Sequence, residues 1–159
     1  MSTTVRPLVD PFIGSLCRVV WQWVRREIHA AVVAAGYDDL NPAHVAVFRN
    51  PGPEGMRPSE LADDMQITKQ SVNELLGYLE RHGYVVRLPD PTDSRSRRIG
   101  LTETGLELQA VIWRAAETAE RKATAVIGDD RMDGLRKSLI DLVTHLDPAQ
   151  QPAGTPEPS

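Results

Sequence analysis

A single cysteine, Cys17, in 159 residues excludes an internal disulfide and argues against a cysteine-based zinc site. No apolar run is long enough to span a bilayer and no signal-peptide pattern is present, so the expected location is the cytoplasm, with no membrane partner. Missing too are the glycine-rich phosphate loops, the nucleophile elbow GxSxG and the zinc helix HExxH. The four histidines, His29, His44, His82 and His145, are widely spaced and form no ligand motif. From these absences the chain is expected to be no enzyme and to hold neither cofactor nor metal. It has no internal repeat. An overall surplus of positive charge is also lacking: the formal net charge is −4, so any affinity for nucleic acid has to be sought locally.

The length suits one domain, or one domain with a small appendage, and suffices to bury a core. The charge is unevenly spread. Between Thr68 and Arg98 stand six Lys/Arg against four acids, a balance of +2, while the rest of the chain carries −6. Taken alone, that contrast is modest and an ordinary solvated surface would explain it. Its position gives it weight, because it falls on the most structured-looking stretch of the sequence.

That stretch is TKQSVNELLGYLERHGYVVRLPDPTDSRSRRIGLT, from Thr68 to Thr102. Thr68 is a good helix N-cap, and Val72, Leu75, Leu76 and Leu79 recur at helical spacing to make one apolar face. The opposite face carries Gln70, Asn73, Glu74, Gly77 and Arg81, with Lys69 and Ser71 at the tip. Gly83 stops the helix. Tyr84 to Leu88 reads as a strand and Arg97 to Leu101 as a second, joined by a polar link rich in turn formers. A polar-tipped helix followed by a hairpin with a basic end suggests a DNA reader, with the helix in the major groove and the hairpin as a wing.

These residues carry a family resemblance. Asp90-Pro91-Thr92-Asp93-Ser94-Arg95 and Leu101-Thr102-Glu103-Thr104-Gly105 resemble the DP-x-D-x-R … LT-x-x-G signature of MarR-type winged-helix regulators. Leu79-Glu80-Arg81-His82-Gly83-Tyr84-Val85 is similar to the end of that family's recognition helix. The resemblance covers about residues 8 to 146, and its specific motifs lie in residues 58 to 105. It implies a mainly α fold with a small β wing (α+β), a winged helix-turn-helix core flanked by N- and C-terminal dimerisation helices.

The remaining chain fits that plan. Apolar residues from Leu8 to Ala35 recur every three or four positions, a helix of about seven turns stopped by Gly36 and too apolar for a small winged helix to cover. Asn41-Pro42 opens a short helix with Val45, Val47 and Phe48, Pro51 to Gly55 is a loop, and Arg57 to Met65 gives another short helix. Gln66-Ile67 then forms the turn into the recognition helix. Thr102 caps a helix running to about Ile127, Gly128 ends it, and a last helix from Asp129 or Asp130 runs to Leu146 before Pro148. The proline-containing tail reads as disordered. The expected divisions are residues 1–40 for an N-terminal dimerisation helix, 41–102 for the DNA-binding region, 103–147 for C-terminal dimerisation helices and 148–159 for the tail. The expected partners are double-stranded DNA, a second copy in a homodimer and a small aromatic or amphipathic effector. The function so implied is that of a regulator, a repressor released from a pseudo-palindromic operator.

Individual residues carry alternatives. Gln70 and Asn73 can pair bidentately with adenine edges, and Thr68, Lys69 and Ser71 can reach guanine or phosphate; without the wing, a solvated helix face explains them equally well. Glu74 departs from the basic residue common in similar proteins, repelling phosphate but able to accept from a cytosine amino group. By the resemblance, Arg95 reaches the minor groove and Asp93 braces the wing. Arg97 and Arg98 alternate across a strand, so one of them faces DNA and the other serves solubility or an ion pair. Trp21, Trp23, His44, Phe48 and Trp113 lie on segments that in similar proteins bound an effector pocket, or else are simply core. Cys17 is either a small buried hydrophobe or, as in one branch of similar regulators, a redox sensor. A winged helix used for protein contact is the remaining alternative, supported by Glu74 and the negative net charge.

Overall fold

The computed structural model describes residues 11–49, 55–93 and 95–146. Among them the chain forms α1 (Ile13–Ala34), α2 (Pro42–Val47), α3 (Pro58–Met65), α4 (Lys69–Arg81), β1 (Val85–Pro89), β2 (Arg97–Leu101), α5 (Glu103–Ile127) and α6 (Asp129–Leu146). This is a mainly helical fold with a small two-stranded wing, as the sequence predicts. α1 is shorter than the periodicity suggests, about six turns, with Phe12 at its N-cap. Leu8 and Val9, Pro51 to Glu54, Pro148 and the tail lie outside the described residues.

Capping side chains account for most helix starts. Asn41 Oδ1 accepts from the Ala43 and His44 amides at 2.9 and 3.0 Å, and His44 Nδ1 accepts in return from the Asn41 amide at 3.3 Å. Glu60 Oε2 accepts from the Arg57 amide at 2.8 Å ahead of Pro58. Thr68 Oγ1 accepts from the Ser71 amide at 3.1 Å, and Thr102 Oγ1 from the Gly105 amide at 3.1 Å. The Thr102 hydroxyl in turn donates to the Gly83 carbonyl, 2.6 Å away, so one residue caps α5 and ties it to the end of α4.

The core sits inside the winged helix. Leu61, Val72, Leu76, Leu79, Phe48, Ile99 and Leu108 are almost wholly buried, drawn from α2 to α5 and the wing. β1 and β2 pair antiparallel, with Val85 opposite Leu101 and Pro89 opposite Arg97, and Met56 adds a bridge to Ile99 on the other edge of β2. α1 packs along α5. α6 follows as an 18-residue helix with no buried residue in the single chain.

Two glycines behave oppositely. A Cβ on Gly105 would stand 2.1 Å from the Tyr84 carbonyl oxygen, so the absence of a side chain there is what lets α5 dock on the wing. A Cβ on Gly77 meets only the end of the flexible Arg81 side chain, at 3.3 Å. Gly77→Ala is therefore expected to stabilise the fold by about 1 kcal/mol, and Gly105→Ala to destabilise it by roughly 1–3 kcal/mol or more. Denaturant melts of the two variants check this; a shift of the same sign in both would contradict it.

Candidate nucleic-acid interface

α3, the turn at Gln66-Ile67 and α4 form a helix-turn-helix. Gln66 closes α3 in the left-handed region, φ 53°, which bends the chain sharply before Thr68. α4 then buries Val72, Leu76 and Leu79 and exposes Lys69, Gln70, Asn73, Glu74 and Arg81. Gln70 Nε2 donates to Glu74 Oε1 at 3.2 Å, one turn on, so the departing acid is partly occupied within its own helix. Thr68 is engaged in capping, and the Ser71 hydroxyl lies 2.9 Å from its Oγ1.

The wing turn is organised by two aspartates. Asp93 Oδ1 accepts from the Arg95 amide at 2.9 Å and Oδ2 from the Ser96 hydroxyl at 2.6 Å, so Asp93 shapes the turn that presents the exposed Arg95. Asp90 is the other, and its side chain is wholly shielded. Its Oδ2 receives Arg57 Nε at 2.6 Å and Arg98 Nε at 3.3 Å, and its Oδ1 receives the Thr92 amide and hydroxyl at 2.8 and 2.7 Å. Arg57 thereby links the start of α3 to the base of the wing. The Arg57 and Thr92 hydrogen bonds hold the Asp90 carboxyl far below its ordinary range, and the Ser96 and Arg95 bonds hold Asp93 lower as well.

Comparison with known proteins bears on this arrangement. A family model described as "MarR family" matches residues 38–96, from the approach to α2 through the wing turn. Over that stretch the chain matches the MarR family. It is 30% identical over 95 residues to the transcriptional activatory protein BadR of Rhodopseudomonas palustris, a match over 58% of this chain and 52% of that one. The chain thus spans about half the length of the curated relatives it matches. Among solved structures it is similar to CouR of Rhodococcus jostii RHA1 bound to p-coumaroyl-CoA, with 26% identity, a TM-score of 0.67 and coverage of 84% of this chain and 92% of that one. It is also similar to the MarR family protein Rv2887 of Mycobacterium tuberculosis in complex with salicylic acid, with 26% identity, a TM-score of 0.64 and coverage of 84% and 98%.

Several expectations from the sequence need correction. Arg98 does not share the outward role considered for it. It is half-buried, pairing with Asp90 and donating through Nη1 to the Gly55 carbonyl at 3.2 Å, whereas Arg97, on the alternate side of the strand, is exposed. His44 and Phe48 are not walls of an open pocket. Phe48 is fully buried against Tyr84, and His44 is spent on the α2 cap and on stacking over Tyr78 at 4.3 Å. Trp113 projects from α5 into solvent, one position round the helix from the inward Ile112. Trp21 does line a cleft, with Arg25, Ile28, His29, Val45 and Arg49. The Arg49 guanidinium lies over the Trp21 ring, 5.5 Å from its centre, and also pairs with Asp64 of α3 at 3.6 Å. The cleft's volume is about 40 Å³ in the single chain, room for a few waters. Cys17, expected beside the buried stripe, is exposed on α1. Arg57, which ties α3 to the wing through Asp90, carried no local signal that pointed to it, and neither did Asp39, which accepts from the Tyr78 and Tyr84 hydroxyls. No helix of the described residues is long and apolar enough to cross a membrane.

Burial lowers the His44 pKa, against a raising pull from Asp39. The unfolded chain takes up this proton near the ordinary value of 6.5 and the folded chain only at lower pH, so the stability it contributes is whole above that value and is lost as pH falls below it. A second loss follows below the ordinary carboxylate value of 3.8, as the unfolded-state proton uptake at Asp90 and Asp93 outruns that of the fold. Thermal melts from about pH 7 to about pH 5 are expected to show the first decline, and His44→Gln to flatten it. A melting temperature that does not change over that range would contradict the assignment.

Proposed function

We propose that this chain is a homodimeric, sequence-specific DNA-binding regulator of transcription, a repressor released from a pseudo-palindromic operator by a small effector. The observation that carries the reading is the division of α4: Val72, Leu76 and Leu79 are locked into the core while Lys69, Gln70, Asn73 and Glu74 stand exposed at its N-terminal end. A helix held so rigidly from behind presents amide and ammonium groups suited to base edges and phosphates in a major groove. The wing adds Arg95, aimed by Asp93, as a guanidinium for the narrow and negative minor groove, with Arg97 available to backbone phosphate.

Dimerisation is supported by what the single chain leaves uncovered. Phe12, Ile13, Leu16 and Val20 on α1 and Leu135, Leu139, Leu142 and Leu146 on α6 are all more than one third exposed. Apolar residues in that number at helical spacing call for a partner surface, and a second copy supplies one on the helices of residues 1–40 and 103–147. A two-fold dimer places two recognition helices about one DNA turn, roughly 34 Å, apart.

The cleft beside Trp21 is the candidate effector site. An indole face with Arg25, His29 and Arg49 around it suits a small aromatic molecule bearing negative charge, and the ligands of CouR and Rv2887 are both aromatic. Its present size requires that binding open it. The effector then favours a dimer whose α4 helices no longer match successive major grooves.

Arg95→Ala is expected to weaken operator binding at least about tenfold while leaving the melting temperature and the oligomeric state unchanged. Gel-shift titration over a series of salt concentrations checks this and the reading together. A DNA reader loses affinity steeply as salt rises. Unchanged affinity would remove Arg95 from the interface, and a flat salt response would favour a protein-contact role for the winged helix.

A further inference from the structure

Asp39 and Leu40, in the connection between α1 and α2, are gripped from two sides. From α1, His29 Nε2 donates to the Leu40 carbonyl at 2.9 Å. From the reader, the Tyr78 hydroxyl of α4 donates to Asp39, 3.0 Å from its carbonyl oxygen and 3.3 Å from Oδ2. The Tyr84 hydroxyl, just ahead of β1, donates to Asp39 Oδ1 at 3.0 Å. Tyr78 has little freedom to swing away. The His44 ring stacks on it at 4.3 Å and the His82 ring at 3.9 Å, with interplanar angles of 9° and 19°. Two rings so near and so parallel cannot share one face, so they sandwich it. The Leu40 side chain is fixed in the core, and His29 is also a wall of the Trp21 cleft.

We infer that Asp39 is a positioning residue that couples the cleft beside α1 to the recognition helix. A molecule in the cleft that draws His29 off the Leu40 carbonyl releases one side of the Asp39–Leu40 segment. The other side then shifts with it: the Tyr78 end of α4 through one hydroxyl, and the entry to the wing through the second. This inference rests on the reading of α4 as the DNA reader and of the cleft as the effector site, and adds the physical link between them. A link of this kind is established by coupling, not by proximity.

The test is a double-mutant cycle read by amide hydrogen exchange on the full chain without DNA. His29→Phe keeps a ring and removes the donor. It is expected to raise exchange in residues 78–84 at least about threefold. In a Tyr78→Phe/Tyr84→Phe background, which cuts both hydroxyl links to Asp39, that increase is expected to vanish, whereas Asp39→Ala, which keeps the Tyr78 bond to the main-chain carbonyl, is expected only to reduce it. Asp39→Asn, whose amide oxygen still accepts a tyrosine hydroxyl, is expected to retain it. Tyr78→Phe alone removes both the carbonyl and the Oδ2 bond and serves should the double variant fail to fold. An equal effect of His29→Phe in the wild-type and Tyr78→Phe/Tyr84→Phe backgrounds, or none in either, would make Asp39 a local staple and overturn the inference. Operator affinity measured on the same samples separates the two readings. Coupled exchange in a protein that binds no DNA sinks the DNA reading alone, and DNA binding with uncoupled exchange sinks the inference alone.

Discussion

Asp90→Ala is expected to lower the melting temperature by at least roughly 5 °C and to weaken operator binding more than about tenfold. The carboxylate is shielded from water and is the single acceptor on which Arg57, Arg98 and Thr92 converge. Removing it leaves two guanidinium groups side by side with their shared countercharge gone. Arg98 bears more of that loss, being the more buried of the two. The damage spreads because Arg57 belongs to the start of α3 and Thr92 to the wing turn, so the wing loses its attachment to the helix-turn-helix as well as its internal order. Asp90→Asn, which keeps acceptor capacity without charge, should fall between wild type and alanine. A melt and a gel shift on the same preparations check the pair of effects. Wild-type stability and affinity in Asp90→Ala would contradict the role given to this carboxylate.

Placing carboxylates at Leu139 and Leu142 is expected to yield a folded monomer whose operator affinity is lower by at least about 100-fold. Both leucines are exposed in the single chain, at 38% and 46%, so charge there does not disturb the protomer's own core. In the proposed dimer the same positions are expected to face the partner, where unpaired carboxylates are costly. The loss in affinity follows from linkage: a dimer binds its second half-site at high effective concentration, and a monomer forfeits that gain. Sedimentation of Leu139→Asp/Leu142→Asp, with circular dichroism to confirm the helices, checks this. A dimer of unchanged affinity would show that this face of α6 is no part of the interface.

The winged helix was legible because its signals are local. β2 runs from Arg97 to Leu101 and α5 to Ile127 as the sequence predicts, since Thr102 and Gly128 mark the ends of α5 by cap and stop. α4 is bounded just as clearly by Thr68 and Gly83, and the apolar face of Val72, Leu76 and Leu79 is the face it buries. What escaped was pairing at long range. Nothing in a periodicity connects Arg57 with Asp90, 33 residues on, or Asp39 with Tyr78, 39 residues on. Such partners are chosen by the tertiary fold, and each side chain alone reads as a solvated charge. His44 is an intermediate case. Its spacing from Asn41 is that of a reciprocal helix cap, and that signal outweighs the aromatic character that suggested a pocket wall.

The central claim is that this chain is a dimer that reads two half-sites. Selection of bound sequences from a random duplex library, using the purified chain, tests it most directly. The expected result is a pseudo-palindrome with half-sites about one turn, roughly 34 Å, apart, bound with an affinity that falls steeply as salt rises. Recovery of no sequence above background, in the presence of Arg95 and an intact dimer, would contradict it.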